Sequence, residues 1–222
     1  MLCAQQSALA TLPDAPVPQI AASTSVAGTS HSASTQLPYA SFYSRTIFTT
    51  QQARPLLGFA KIKYAGVEMV RPINVLHAAV SAGYSQFQGG DPKYGSGAGA
   101  YGARYGDAIL RESTYRFFSD GFFPLLLHED PRYYRMDSHG TVRQRLWYSF
   151  SRSFVTRTDA GTPTPNYATL LGHATGAALV LTYYPDTSQG GGVVLRTFAD
   201  SIAVQIGLDM VREFVPKLRF LF

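Results

Sequence analysis

His128, Glu129 and Asp130 follow one another in GFFPLLLHEDPRYYR, residues 121–135, directly after an apolar run and directly before arginines and tyrosines. An imidazole beside two carboxylates is the raw material of general acid–base catalysis, because buried acids next to histidine are where proton affinities shift. These three are the catalytic candidates, and His77, Arg132 and Tyr133 would line a ligand pocket with them. His77, His128 and His173 each sit in or beside an apolar helical segment, so three imidazoles with Asp130 or Glu129 could in principle converge on a metal. Neither HExxH nor Glu-x-x-His spacing accompanies them, and a lone histidine on an apolar helix is more often hydrogen-bonded inside a core. The expectation is no cofactor and no metal, with His77, His128 and His173 as the arrangement that would overturn it.

Other chemistries lack their motifs. No G-x-S-x-G elbow occurs, and the Gly-rich YGSGAGAYG has no Lys-Ser/Thr to complete a phosphate loop. A structural reading of HEDPRYYR is simpler. Charges that leave an apolar run need partners, and Asp130 can pair with Arg132 or Arg135, or accept backbone N–H groups at the Pro131 turn. Tyr133 and Tyr134 add apolar area with hydroxyl handles.

The elements that would position these groups are helical. Pro72 opens one helix and Gly89, Gly90 and Pro92 stop it, a second runs from about residue 100 to 118, and a third covers 122–127. Residues 141–158 form a fourth, with strand as a rival because of their β-branched and aromatic content. A fifth ends at Pro185 and a sixth at Pro216. The fold expected is an all-α bundle of five to six helices in a single domain, residues 42–222, behind a disordered Ala/Ser/Thr/Pro tail over 5–41.

The second helix is two-sided. Arg104, Asp107, Arg111, Glu112, Arg116 and Asp120 share one side, where Asp107 with Arg111 and Glu112 with Arg116 can pair four apart. Gly102, Ala103, Gly106, Leu110, Ser113 and Phe117 share the other, which is small enough for close helix approach. The same small-residue spacing recurs in Ala98, Gly102 and Gly106, in Ala168, Gly172 and Gly176, and more weakly in Ala79 and Gly83. Glycine within a helix costs about 1 kcal/mol against alanine, so these rows predict close helix crossings.

Composition bounds the setting. The 222 residues are 45% hydrophobic and only 15% charged, where roughly a quarter charged is usual for soluble domains. The net charge of +5 is not gathered into a basic block, so a nucleic-acid partner is not expected, while a mild attraction to anionic lipid is allowed. Cys3 is the single cysteine, which excludes an intramolecular disulfide and a cysteine zinc site. MLCAQQ reads like the last residues of a secretory signal, cleaved after Ala4, with a start codon assigned too late. Residues 72–90 and 167–184 lack Lys, Arg, Asp and Glu, yet both carry His, Ser, Thr or Gln where a span needs about 20 apolar residues. Central bundle helices are the expectation, with Tyr183 and Tyr184 as an aromatic rim at a membrane. The ending KLRFLF is a barrel-like feature, but the period-two alternation of a barrel is missing.

The ordered motifs YGARYG, PLLLHEDPRYYR, SRSFVTRTD, PNYATLLG and YYP resemble an uncharacterised family of secreted or envelope-associated bacterial proteins, over roughly Ala53 to Pro216. That resemblance implies an exported helical protein of the periplasm or outer membrane with no established activity. The family's residue at the position of His173 is Asn, which takes one imidazole from the three-histidine arrangement. The partners expected are a membrane surface or an envelope protein, with a homo-oligomer as a further option. The function expected is a structural or interaction role at a membrane; the alternative is an enzyme or small-ligand binder with its polar site around HEDPRYYR.

Overall fold

Helix ends fall where the backbone chemistry puts them. In the computed structural model, which describes residues 37–215 and Lys217, α1 (Ala60–Met69) is followed by α2 (Pro72–Gln88). Proline occupies the first turn of α2, where its missing N–H is not needed, and Gly89 closes the helix in the left-handed conformation at φ 61°. α3 (Ala98–Arg116) continues into a π-helical stretch, Phe117–Phe122, and then into the short α4 (Phe123–Leu127). α5 (Val142–Arg152) opens with a capping box between Thr141 and Gln144. α6 (Tyr167–Leu179) starts at Asn166, whose side chain accepts from the Thr169 N–H, and α7 (Gly191–Phe214) is the longest helix at 24 residues.

Six of these helices have ten residues or more, as the all-α expectation requires. The sequence reading left α1 unassigned. The fourth segment is divided: its first half is α5 and its β-branched end is a strand, β4 (Val155–Thr158). The remaining strands are β1 (Thr46–Ile47), β2 (Glu129–Asp130), β3 (Tyr133–Tyr134) and β5 (Pro163–Pro165). β1 pairs in parallel with β3, and β2, β4 and β5 form an antiparallel sheet in that order. Both little sheets exist to hold the HEDPRYYR segment, which contributes β2 and β3. The expected tail over residues 5–41, the Ala4 cleavage and the KLRFLF ending from Leu218 onward lie outside the described residues, apart from 37–41. There Ala40 is buried and donates its N–H to the Gln52 carbonyl, so packing begins before residue 42.

The faces of α3 are turned opposite to expectation. Arg104, Glu112 and Arg116 are buried, whereas Gly102 and Gly106 face open space and Leu110 is exposed. Hydrophobic periodicity tells which residues share a side; it puts the apolar side inward only when the rest of the molecule offers an apolar core. Here the interior is charged, and α7 matches α3 by turning Ser201, Gln205, Asp209 and Arg212 inward. The charge pairs four apart are rewired accordingly. Asp107 accepts from the Tyr94 hydroxyl, Arg111 donates to Tyr184 and Ser81, and Glu112 meets His77.

The close crossing belongs to α6. A Cβ on Gly172 would lie 2.5 Å from the Ser119 nitrogen, and one on Gly176 would lie 2.2 Å from the Tyr115 ring. Gly83 meets only Tyr101, at 3.9 Å.

Candidate functional site

The predicted site residues are divided among separate places. His128 ends α4 in the left-handed conformation, with its side chain 82% exposed and Nδ1 3.8 Å from Asp159. Glu129, next in sequence, is buried and accepts the Ala168 N–H at 3.1 Å, so its carboxylate caps the start of α6. Burial raises its proton affinity, opposed by the Ala168 and Tyr167 N–H groups and by Lys61.

Asp130 is filled on all sides. It accepts from the Arg132 backbone N–H at 3.0 Å, from Arg132 Nε at 2.9 Å and Nη2 at 2.6 Å, and from the Tyr134 hydroxyl at 2.7 Å. Burial would raise its pKa, but Arg132 outweighs that and holds it below the usual carboxylate range. Arg132 also donates to the Arg54 carbonyl, at 2.8 Å. Arg135, the other expected partner, goes instead to the backbone carbonyl of Glu213 and to Asp137. The cavity beside Asp130, Arg132 and Tyr134 is about 20 Å³, room for about one water. No substrate fits there.

Tyr133 leads to a residue that sequence reasoning missed. Its hydroxyl donates to Glu213 at 3.1 Å and lies 3.2 Å from the Ser149 hydroxyl. Glu213 is fully buried at the end of α7, and its carboxylate also accepts the N–H groups of Met136 (3.1 Å) and Asp137 (3.0 Å) and Arg145 Nε (2.9 Å). The one signal for it was its place beside Asp209 and Arg212 on the polar row of the last helix.

Deeper in the bundle, charges alternate. Arg45 lies 2.5 Å from Asp120 and 3.8 Å from Glu68, and Arg116 lies 3.6 Å from Asp120. Arg116 also meets Gln205 at 3.4 Å; Gln205 and Arg212 both hold Asp209, at 3.2 and 2.6 Å. Arg71 also holds Glu68, at 2.6 Å, so four arginines and three carboxylates interlock largely out of water. Single removal of a partner from such a network typically costs about 3–5 kcal/mol, because the remaining charge is stranded.

The three histidines do not converge, and among the described residues no cluster of His, Cys, Asp or Glu could hold a metal. His173 is buried in α6 against the Tyr115 ring, 4.8 Å between centroids, with neither ring nitrogen hydrogen-bonded. Burial pushes its pKa down to about 4, reinforced by Arg116 and Arg45 and opposed by Glu112 and Asp120.

His77 lies elsewhere, in a cleft between α2, α3 and the first half of α7. Its Nδ1 is 2.9 Å from Glu112, and Arg111, Ser81, Tyr115 and Ser201 share the lining. Burial would raise the Glu112 pKa, but His77, Arg116 and Arg111 bring it down to about 2. With the Glu112 carboxylate 2.9 Å from one imidazole nitrogen and the Arg111 guanidinium on the same wall, the cleft presents charge of both signs to a small polar molecule. The cleft volume of about 120 Å³ is well below the roughly 300–1,000 Å³ of sites for drug-sized molecules, so only a small polar molecule would enter.

No protein-family model matches the chain, and neither a curated protein nor a solved structure matches it.

Proposed function

We propose that this is an exported, envelope-associated helical protein that works in contact with a membrane, in a structural or interaction role. The observation that carries the reading is the polarity of α2. Its outward residues are Val75, Leu76, Val80, Tyr84 and Phe87, the last 89% exposed, and its buried ones are Asn74, Ala78 and Ala82. Water disfavours such an exterior by about 25 cal/mol per Å² of apolar area, and lipid does not. The resemblance carried by HEDPRYYR and PNYATLLG supports export. No helix among the described residues is long and apolar enough to cross a membrane, so the contact proposed is peripheral or partly embedded. Tyr184 has no part in it, because it is buried and hydrogen-bonded to Arg111.

Flotation of the full chain with phospholipid vesicles, alongside fractionation of the expressing cell, tests the proposal. The protein is expected to rise with the vesicles and to require detergent for extraction. A protein that stays at the bottom of the gradient with every lipid composition and fractionates wholly as soluble would overturn it.

A second reading is favoured by one feature, the Glu112–His77 pair facing a cleft. In it the protein binds a small polar molecule there, away from HEDPRYYR. A thermal-shift screen of small hydroxy acids and amino acids should then find a compound that stabilises the wild type and not Arg111→Lys; a screen with no such compound removes this reading.

A further inference from the structure

The helix α5, which meets the end of α7 through Arg145 and Glu213, combines an apolar outer face with charge of a single sign. Val142, Leu146, Trp147 and Phe150 recur at helical spacing along it, Phe154 follows just beyond its end, and all are exposed, Trp147 at 64%. The rings are organised: Trp147 stacks on Phe150 at 5.6 Å between centroids, and Phe150 lies 5.4 Å from Phe154. The inner side is polar, with Tyr148, Ser149 and Ser153 buried and Tyr148 hydrogen-bonded to the Tyr134 carbonyl. The helix VRQRLWYSFSR holds three arginines and no acidic residue. Arg145 is used internally by Glu213 and Arg152 lies over the Tyr148 ring, whereas Arg143 is exposed beside Leu146 and Trp147 in a shallow recess with Thr141 and Gln144.

We propose that α5 is the helix by which this protein docks on anionic lipid, with Leu146, Trp147 and Phe150 entering the interface and Arg143 meeting lipid phosphate. The inference rests on the membrane reading given above and narrows it to one helix and one lipid class. An interfacial helix of this type buries its apolar side about 5–10 Å into the headgroup boundary, the depth at which tryptophan is favoured. Charge complementarity selects the occupant. A helix without acids, on a chain of net charge +5, is attracted to a negative surface.

Trp147 is the single tryptophan of the chain, so tryptophan emission, excited at the red edge where tyrosine does not absorb, reports this face alone. Full-length protein is titrated with phosphatidylcholine vesicles and with phosphatidylcholine–phosphatidylglycerol vesicles, while emission wavelength, acrylamide quenching and co-sedimentation are followed. The expected result is a blue shift and protection from acrylamide with the anionic vesicles, weakened by salt. Arg143→Glu should weaken partitioning roughly 20-fold, two charge units at a surface that favours each basic residue several-fold. Leu146→Asp should abolish the emission shift with an unchanged thermal melt, since its side chain is exposed. Sedimentation with vesicles while Trp147 emission stays constant overturns the inference and leaves the membrane reading intact; no association with any vesicle overturns both. Trp147 already protected from acrylamide in vesicle-free protein also overturns it, assigning the face to another part of this chain when the species is monomeric and to a second copy when it is dimeric.

Discussion

His173 is a neutral imidazole held among charges, and that makes stability depend on pH in a defined window. Its folded pKa of about 4 lies below the 6.5 of an ordinary histidine, so between those values the unfolded chain binds the proton more readily. The stabilising difference is fully present above pH 6.5 and is lost as pH falls toward 4, by about 1.4 kcal/mol per pH unit and on the order of 3 kcal/mol in all. Glu112 acts lower: its carboxylate titrates at about 2 against 4.5 for a free side chain, so its contribution is lost only below pH 4.5. Urea melts of wild type and His173→Asn between pH 7 and 4.5 should therefore converge as pH falls. Parallel curves would show that His173 binds its proton equally well in the folded and the unfolded chain, which is incompatible with a depressed pKa. The sequence suggested a hydrogen-bonded core histidine; His173 is in the core but without a hydrogen bond, and its charged neighbours were not legible because Arg45, Arg116 and Asp120 reach it through tertiary contacts.

At the scale of elements, two rows of small residues with the same spacing have opposite fates. On α6 the row is closed: Gly172 meets the Ser119 backbone and Gly176 the Tyr115 ring, so Gly172→Ala should destabilise by about 2–3 kcal/mol as the helices are forced apart. On α3 it is open, and Gly102→Ala and Gly106→Ala should each stabilise by about 0.5–1 kcal/mol through helix propensity. Chemical denaturation of the four single variants, with Gly176→Ala as the fourth, checks the contrast; equal effects on both helices would mean that their faces are misassigned. The ends of α2 were legible because Pro72 and Gly89 act within one turn of themselves, whereas α5 stops at Arg152 and α6 at Leu179, short of the ends expected at residue 158 and at Pro185. Facing was not legible, since spacing groups residues without saying which group meets water. The π-helical stretch was also invisible, although it is what brings Ser119 and Asp120 onto the buried side.

At the scale of the molecule, α2 and α5 turn apolar residues outward, the paired charges of α3 and α7 lie inside, and an apolar cluster of Ala40, Ile47, Met136 and Tyr148 packs with Tyr133 and Tyr134 of the HEDPRYYR segment. The candidate site was legible in part. HEDPRYYR was correctly seen as needing partners, and Asp130 with Arg132 forms at the Pro131 turn as its spacing allows. That His77 belongs to a different cleft depends on how α2 lies against α3, which no local pattern encodes. Glu213 adds a consequence in time. Its four donors, Tyr133, Met136, Asp137 and Arg145, lie 68 to 80 residues earlier in the chain. During synthesis from the N-terminus each of them leaves the ribosome well before its acceptor exists. Asp130 with Arg132 and the strand pairings of the motif can form early, but Tyr133, Met136 and Asp137 must wait for their acceptor until nearly all of α7 has been translated, so this latch closes after the rest of the motif is in place.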